Sequence, residues 1–151
     1  MRASGLARYS WTMFDFANQP FYTLIMTFVF SVYFTDVFIV GADGAQKLTL
    51  TQTISGLAIA VLSPVLGSIT DIKGNRKILM GITSALFVLG MALLWYSPPG
   101  APDGIWLVMF GLILASAMVG FSEVFNNSVL STIETPENSG WLSGMGYGVG
   151  Y

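Results

Sequence analysis

The chain has 151 residues, 54% of them hydrophobic and 9% charged, with a formal net charge of −2. Average soluble domains carry roughly 25% charged residues, and no soluble fold of this length hides so much apolar surface; an integral membrane protein follows. With no Cys and no His, thiolate nucleophiles, the commonest general base and the commonest transition-metal ligand are all missing. No basic tail or acidic block points to nucleic acid. No cofactor or metal is expected, and any enzyme chemistry would rest on carboxylates alone.

Arg2 and Arg8 open a short polar tail, and Tyr9, Trp11, Phe14 and Phe16 follow at once. Trp and Tyr suit the headgroup region, where a ring is half wet. Residues 16–35 carry no charge, so a first transmembrane helix is expected over 11–39. A cleaved signal peptide is the rival reading, but its apolar core is usually about 7–15 residues, shorter than this one. Pro20 should kink or break the helix. The aromatic residues Phe21, Tyr22, Phe28, Phe30, Tyr33 and Phe34 read as lipid contact and packing, with a substrate role left open for Tyr22 or Tyr33.

Asp36, Gly41, Asp43, Gly44 and Lys47 form a loop. The second helix is expected over 50–70, capped by Thr49 or Thr51. A third, over 76–96, stops at Ser97-Pro98-Pro99-Gly100. A fourth covers 104–127. Each apolar run approaches or exceeds the ~20 residues needed to cross a bilayer. A fifth helix, over 139–151, carries Gly140, Gly144 and Gly148, whose spacing of four lets another backbone come close. Residues 138–151 are too short to span a membrane at about 1.5 Å each, so the chain looks cut off within this helix. The fold class is therefore all-α: a polytopic transmembrane bundle, 1–151, with four complete helices plus part of a fifth.

Basic residues set the orientation. Arg2, Arg8, Lys73, Arg76 and Lys77 fall on one side and Lys47 alone on the other, so the N-terminus is expected to be cytoplasmic. Lys47 and Asp103 then lie outside.

Two acid–amide pairs stand out in this apolar chain. Asp15 and Asn18 are three apart and share a helix face; Glu123 and Asn126 repeat the spacing late in the fourth helix. The first helix leaves the cytoplasm and the fourth returns to it, so both pairs approach the same membrane surface. Carboxylates there usually face protein or water, which makes the four residues candidates for a cavity or a coupling site. Asp15 also reads as helix-end decoration, favoured by the positive N-terminal dipole. Glu123 lies about 28 Å along the fourth helix from Gly104, level with the basic loop, and Arg76 is its expected partner.

The loop residues Gly67, Asp71, Lys73, Gly74, Arg76 and Lys77 combine turn-forming glycines with an acid and bases that can pair. This spacing resembles the G-x-x-x-D-R-x-G-R-R/K loop between helices 2 and 3 of the major facilitator superfamily. Gly67, Asp71, Gly74 and Arg76 match, and Ile72 and Asn75 depart from it. Residues 10–18, Ser-Trp-Thr-Met-Phe-Asp-Phe-Ala-Asn, resemble the Y-D-W-A-N opening of the vacuolar amino-acid effluxer-like branch. Residues 135–146 are similar to its P-E-E-R-G-R-V-S-G-L-G segment, with Ser139 and Trp141 in place of the arginines.

The resemblance implies the N-terminal part of a major facilitator half: a secondary transporter with helices 1 and 4 facing a cavity and the Gly67–Lys77 loop as a cytoplasmic gate. Its partners would be the lipid bilayer, a small-molecule solute such as an amino acid, a coupling proton and the remaining helices of a longer transporter. Two other classes stay open: a truncated, non-transporting fragment or interaction protein, and a membrane enzyme built on Asp71 and Glu123. No metal cluster, phosphate-cradling loop or nucleophile–base pair favours the enzyme.

Overall fold

The computed structural model describes residues 5–73, 76–99, 102–133 and 136–150, and the side chains of 69–73, 102, 131, 136–138, 149 and 150 are outside that description. Five helical segments follow one another: α1, Gly5–Phe38; α2, Ala42–Lys73; α3, Arg76–Leu93; α4, Ile105–Ile133; and α5, Pro136–Gly150. Four of them contain stretches long and apolar enough to cross a membrane: Gly5–Phe38, Ala42–Ser68, Arg76–Tyr96 and Ile105–Leu130. Their outward faces are apolar, with Leu57, Val61, Ile78 and Val88 all largely exposed, as a bilayer requires. The protein is an all-α helix bundle of the integral, multi-pass membrane type.

α1 is not uniform. It is α-helical over Gly5–Pro20, then winds into wider π-helical turns over Phe21–Phe28 and again over Phe34–Phe38. Pro20 has no N–H to give to the preceding turn, and the change of winding begins at the next residue. The Val29 amide then bonds the Leu24 carbonyl five residues back, at 2.8 Å. Inserted turns of this kind are tolerated where neighbouring helices hold the segment. Here Phe21 packs edge-on against Phe87 of α3, with ring centroids 5.3 Å apart.

α2 starts eight residues earlier than the sequence suggested. Gly41, with φ +88°, reverses the chain, and Asp43 and Lys47 pair one turn apart on the new helix, so polar residues that read as a loop form a solvated first turn. Neither expected cap acts as one. Thr51 lies inside the helix and donates its hydroxyl back to the Lys47 carbonyl at 2.8 Å, while the Thr49 carbonyl accepts from Thr53. Gly44 lies so close under the Ile39 carbonyl that a side chain there would collide with it.

α4 is the axial helix. In its most apolar stretch 67% of residues are buried, against 11–17% in the other three spans. It supplies Ile105, Val108, Met109 and Leu112 to a cluster with Phe34 and Phe38 of α1, and Ala115 and Val119 to a second with Phe21. A third cluster joins Ala117, Phe121 and Phe125 to Ile59 and Leu66 of α2 and Leu79 and Met80 of α3. α3 meets α4 at a backbone-to-backbone crossing. A Cβ on Gly90 would lie 2.8 Å from both the Ala115 nitrogen and the Gly111 oxygen.

Of the aromatic residues expected to serve lipid contact and packing, Phe28 is exposed and Phe21 and Phe34 are core residues. Tyr33 closes the far end of α1 by donating to the Ser97 carbonyl at 2.5 Å, so its hydroxyl serves the fold.

Candidate functional site

Three of the four acid–amide residues in the two pairs make side-chain interactions across one interface, and the fourth presents its backbone there. Along α1, Trp11, Asp15, Asn18 and Tyr22 recur at offsets of three and four, so they form one stripe. α4 opposes it with Val119, Ser122, Glu123 and Asn126. The Trp11 indole donates to the Asn126 carbonyl at 2.8 Å. The Asn18 amide donates to Ser122 Oγ at 3.4 Å, and Ser122 in turn donates to the Val119 carbonyl at 2.8 Å. One more turn along, Tyr22 hydrogen-bonds the Glu123 carboxylate, and Asp15 lies within Coulombic reach of the same group. Asn126 and Ser122 are buried; Asp15, Asn18, Tyr22 and Glu123 are half-buried.

This is a polar seam along the axis of an otherwise apolar bundle. Polar groups removed from water persist only when they are paired or when function requires them, and most of this seam is paired. α5 closes one side of it: a Cβ on Gly146 would lie 2.8 Å from the Trp11 ring and 3.5 Å from Asp15 Oδ2.

Glu123 is not where the sequence placed it electrostatically. The expected partner, Arg76, donates instead to the Ser128 carbonyl at 3.1 Å, five residues further along α4. At about 1.5 Å per residue that is roughly 7 Å nearer the helix end. Arg76 opens α3 at the edge of the bundle, so it meets the end of α4, whereas Glu123 turns toward α1. The phenol of Tyr22 was the missed neighbour. The signal for it was the repeat Asp15–Asn18–Tyr22, which puts a hydroxyl on the acid–amide face.

Of the loop residues, Gly67 is half-buried with no atom within 4 Å of a would-be Cβ, and Lys77 is exposed at the start of α3. The side chains of Asp71 and Lys73, and Gly74 altogether, lie outside the described residues. Gly140, Gly144 and Gly148 meet nothing within 4 Å among the described residues; the α5 glycine in close contact is Gly146.

The chain is similar to an MFS-type transporter of Bacillus subtilis (strain 168), YxiO, described as uncharacterised. The two are 28% identical over 148 residues, which is 94% of this chain and 33% of that protein. The chain thus spans about a third of the length of the curated relative it matches. No protein-family model and no solved structure matches it. The similarity to a protein described as an MFS-type transporter thus extends over nearly all of this chain, which has four spans apolar and long enough to cross a membrane.

Proposed function

We propose that this chain forms the N-terminal part of a secondary transporter that moves a small solute by alternating access, together with the remaining helices of a longer protein. The observation that carries the reading is the α1–α4 seam. Two carboxylates, a phenol and two amides lie along the inner face of a bundle whose outer faces are apolar, as expected of a pathway through a membrane. The N-terminus and the Gly67–Lys77 loop lie on the cytoplasmic side, by the five-to-one basic count. Amino acids are the solute class to which the sequence resemblance points, and efflux the direction.

In this reading the Gly67–Lys77 loop is a gate and the seam is the site. A gate controls interconversion of the two access states, so its loss slows turnover more than it weakens binding. Asp71→Asn in the full-length protein, reconstituted into proteoliposomes, should cut amino-acid flux while leaving equilibrium binding mostly intact. Loss of binding at an unchanged protein level would overturn the assignment of the gate. Unchanged flux of every amino acid over empty liposomes would overturn the transport reading.

A further inference from the structure

We propose that a crevice between α1, α2 and α4, at the end of the bundle opposite Arg76 and Lys77, binds a phospholipid whose headgroup carries a phosphate and a primary ammonium. Lys47 takes the phosphate, Asp43 takes the ammonium, and the glycerol and upper chains lie against Trp106. The site is remote from the α1–α4 seam and does not depend on the transport reading.

The crevice has a volume of about 450 Å³ and is lined by Phe38 and Ile39 at the end of α1, Asp43 and Lys47 of α2, and Ile105 and Trp106 of α4. Three apolar spans begin or end here, at Phe38, Ala42 and Ile105, so the crevice sits where hydrocarbon gives way to headgroups. Phe38, Ile39 and Ile105 are buried and form an apolar floor, whereas Trp106 is 72% exposed at the rim, where an indole ring suits that boundary. Lys47 lies five residues into α2, about 7.5 Å from its start. Its aliphatic stem can follow the apolar wall and bring the ammonium up to phosphate level.

The polar side of the crevice is a pair of opposite charges. Lys47 donates to Asp43 Oδ2. An ammonium has three N–H donors and a carboxylate has two oxygens, so the pair retains donors for an anion and an oxygen for a cation. Asp43 is exposed and Lys47 half-buried, which leaves both within reach of a ligand. A headgroup that is itself a pair of opposite charges matches them one to one.

Charge balance selects among headgroups. This end of the bundle carries Asp36, Asp43 and Asp103 against Lys47, so an anionic lipid meets a net negative surface and a zwitterion does not. Choline is also zwitterionic as a headgroup, but its nitrogen has no N–H to give Asp43. A soluble zwitterion would leave the apolar lining without a partner; a lipid covers both halves of the crevice at once.

The test is equilibrium lipid binding to the full-length protein purified in detergent, counted by native mass spectrometry in titrations with the dioleoyl forms of phosphatidylethanolamine, phosphatidylcholine and phosphatidylglycerol. Phosphatidylethanolamine should bind saturably, about fivefold tighter than either of the others, and Lys47→Gln should weaken it by about the same factor. Asp43→Asn should invert the preference toward phosphatidylglycerol, because Lys47 then faces an anion without the opposing acid. An ion pair that serves only the fold gives no such inversion. Should a variant fail to fold, the unmodified protein still decides. Phosphatidylethanolamine should raise its thermal midpoint more than phosphatidylcholine at equal lipid-to-detergent ratio, because a ligand bound only by the native state stabilises it. Equal binding of the three lipids by the folded protein would overturn the proposal. So would phosphatidylethanolamine binding unchanged in Lys47→Gln. Glycerophosphoethanolamine, the same headgroup without chains, competing as strongly as the lipid would make the occupant a soluble zwitterion and overturn the lipid assignment.

Discussion

Trp11 combines two jobs that a single substitution separates. Its indole N–H donates to the Asn126 carbonyl at 2.8 Å, and its ring lies against Gly146. Trp11→Phe removes the donor and keeps most of the ring. A buried hydrogen bond contributes about 1 kcal/mol net, and an acceptor left unserved costs a little more. We expect a loss of about 1–2 kcal/mol, read as a lower midpoint in thermal denaturation in detergent. Gly146→Ala attacks the other job, pushing a methyl into the ring. Its destabilisation should shrink when combined with Trp11→Phe, because the smaller ring leaves room. Additive losses in that double-mutant cycle would show that the two residues are not coupled. Tyr22→Phe belongs to the seam: it strips Glu123 of its phenol donor and should alter solute affinity more than stability.

At the scale of the helix, α3 and α4 cross where Gly90 faces Gly111 and Ala115. Without a hydrophobic drive between helices in lipid, close backbone packing carries association. A side chain on Gly90 meets backbone atoms, which cannot rotate away. Gly90→Val should therefore cost at least the 1–3 kcal/mol typical of overpacking, seen as reduced thermal stability and yield in the membrane fraction. Gly144→Ala is the matched control. Open space surrounds that position among the described residues, and Ala favours a helix over Gly by about 1 kcal/mol, so this variant should be neutral or slightly more stable. Equal losses at the two positions would contradict the placement of the α3–α4 crossing.

The whole molecule presents two ends of different chemistry. One gathers Arg8, the end of α2 and Arg76 with Lys77; the other holds Lys47 and the largely exposed rings of Trp95 and Trp106. On the basic excess we propose that the first end is cytoplasmic. Because the chain lacks Cys, a single introduced thiol reports its side without background. Lys47→Cys should react with an impermeant maleimide in right-side-out vesicles, and Lys77→Cys only after permeabilisation. The reverse pattern would invert the proposed topology, and the gate would then lie on the outer surface.

The existence of the spans and the all-α class were legible in the chain because they depend on composition and on run length. A charge-free run that can cross the hydrocarbon has no other stable way to satisfy its backbone. The acid–amide spacing on the first and fourth helices was legible for a similar reason, since helical periodicity alone puts residues three and four apart on one face. Which faces meet is a different kind of question. That Glu123 turns to Tyr22 and Asp15 while Arg76 reaches Ser128, and that close contact falls on Gly90, Gly111 and Gly146 rather than on the regular stripe 140–144–148, depends on how helices rotate and slide against one another. Those choices are made by packing summed over many weak contacts, and local sequence carries little of it. The early start of α2 at Ala42 and the wide turns of α1 after Pro20 belong with them. Tertiary neighbours there hold backbone geometry that propensity alone would not select.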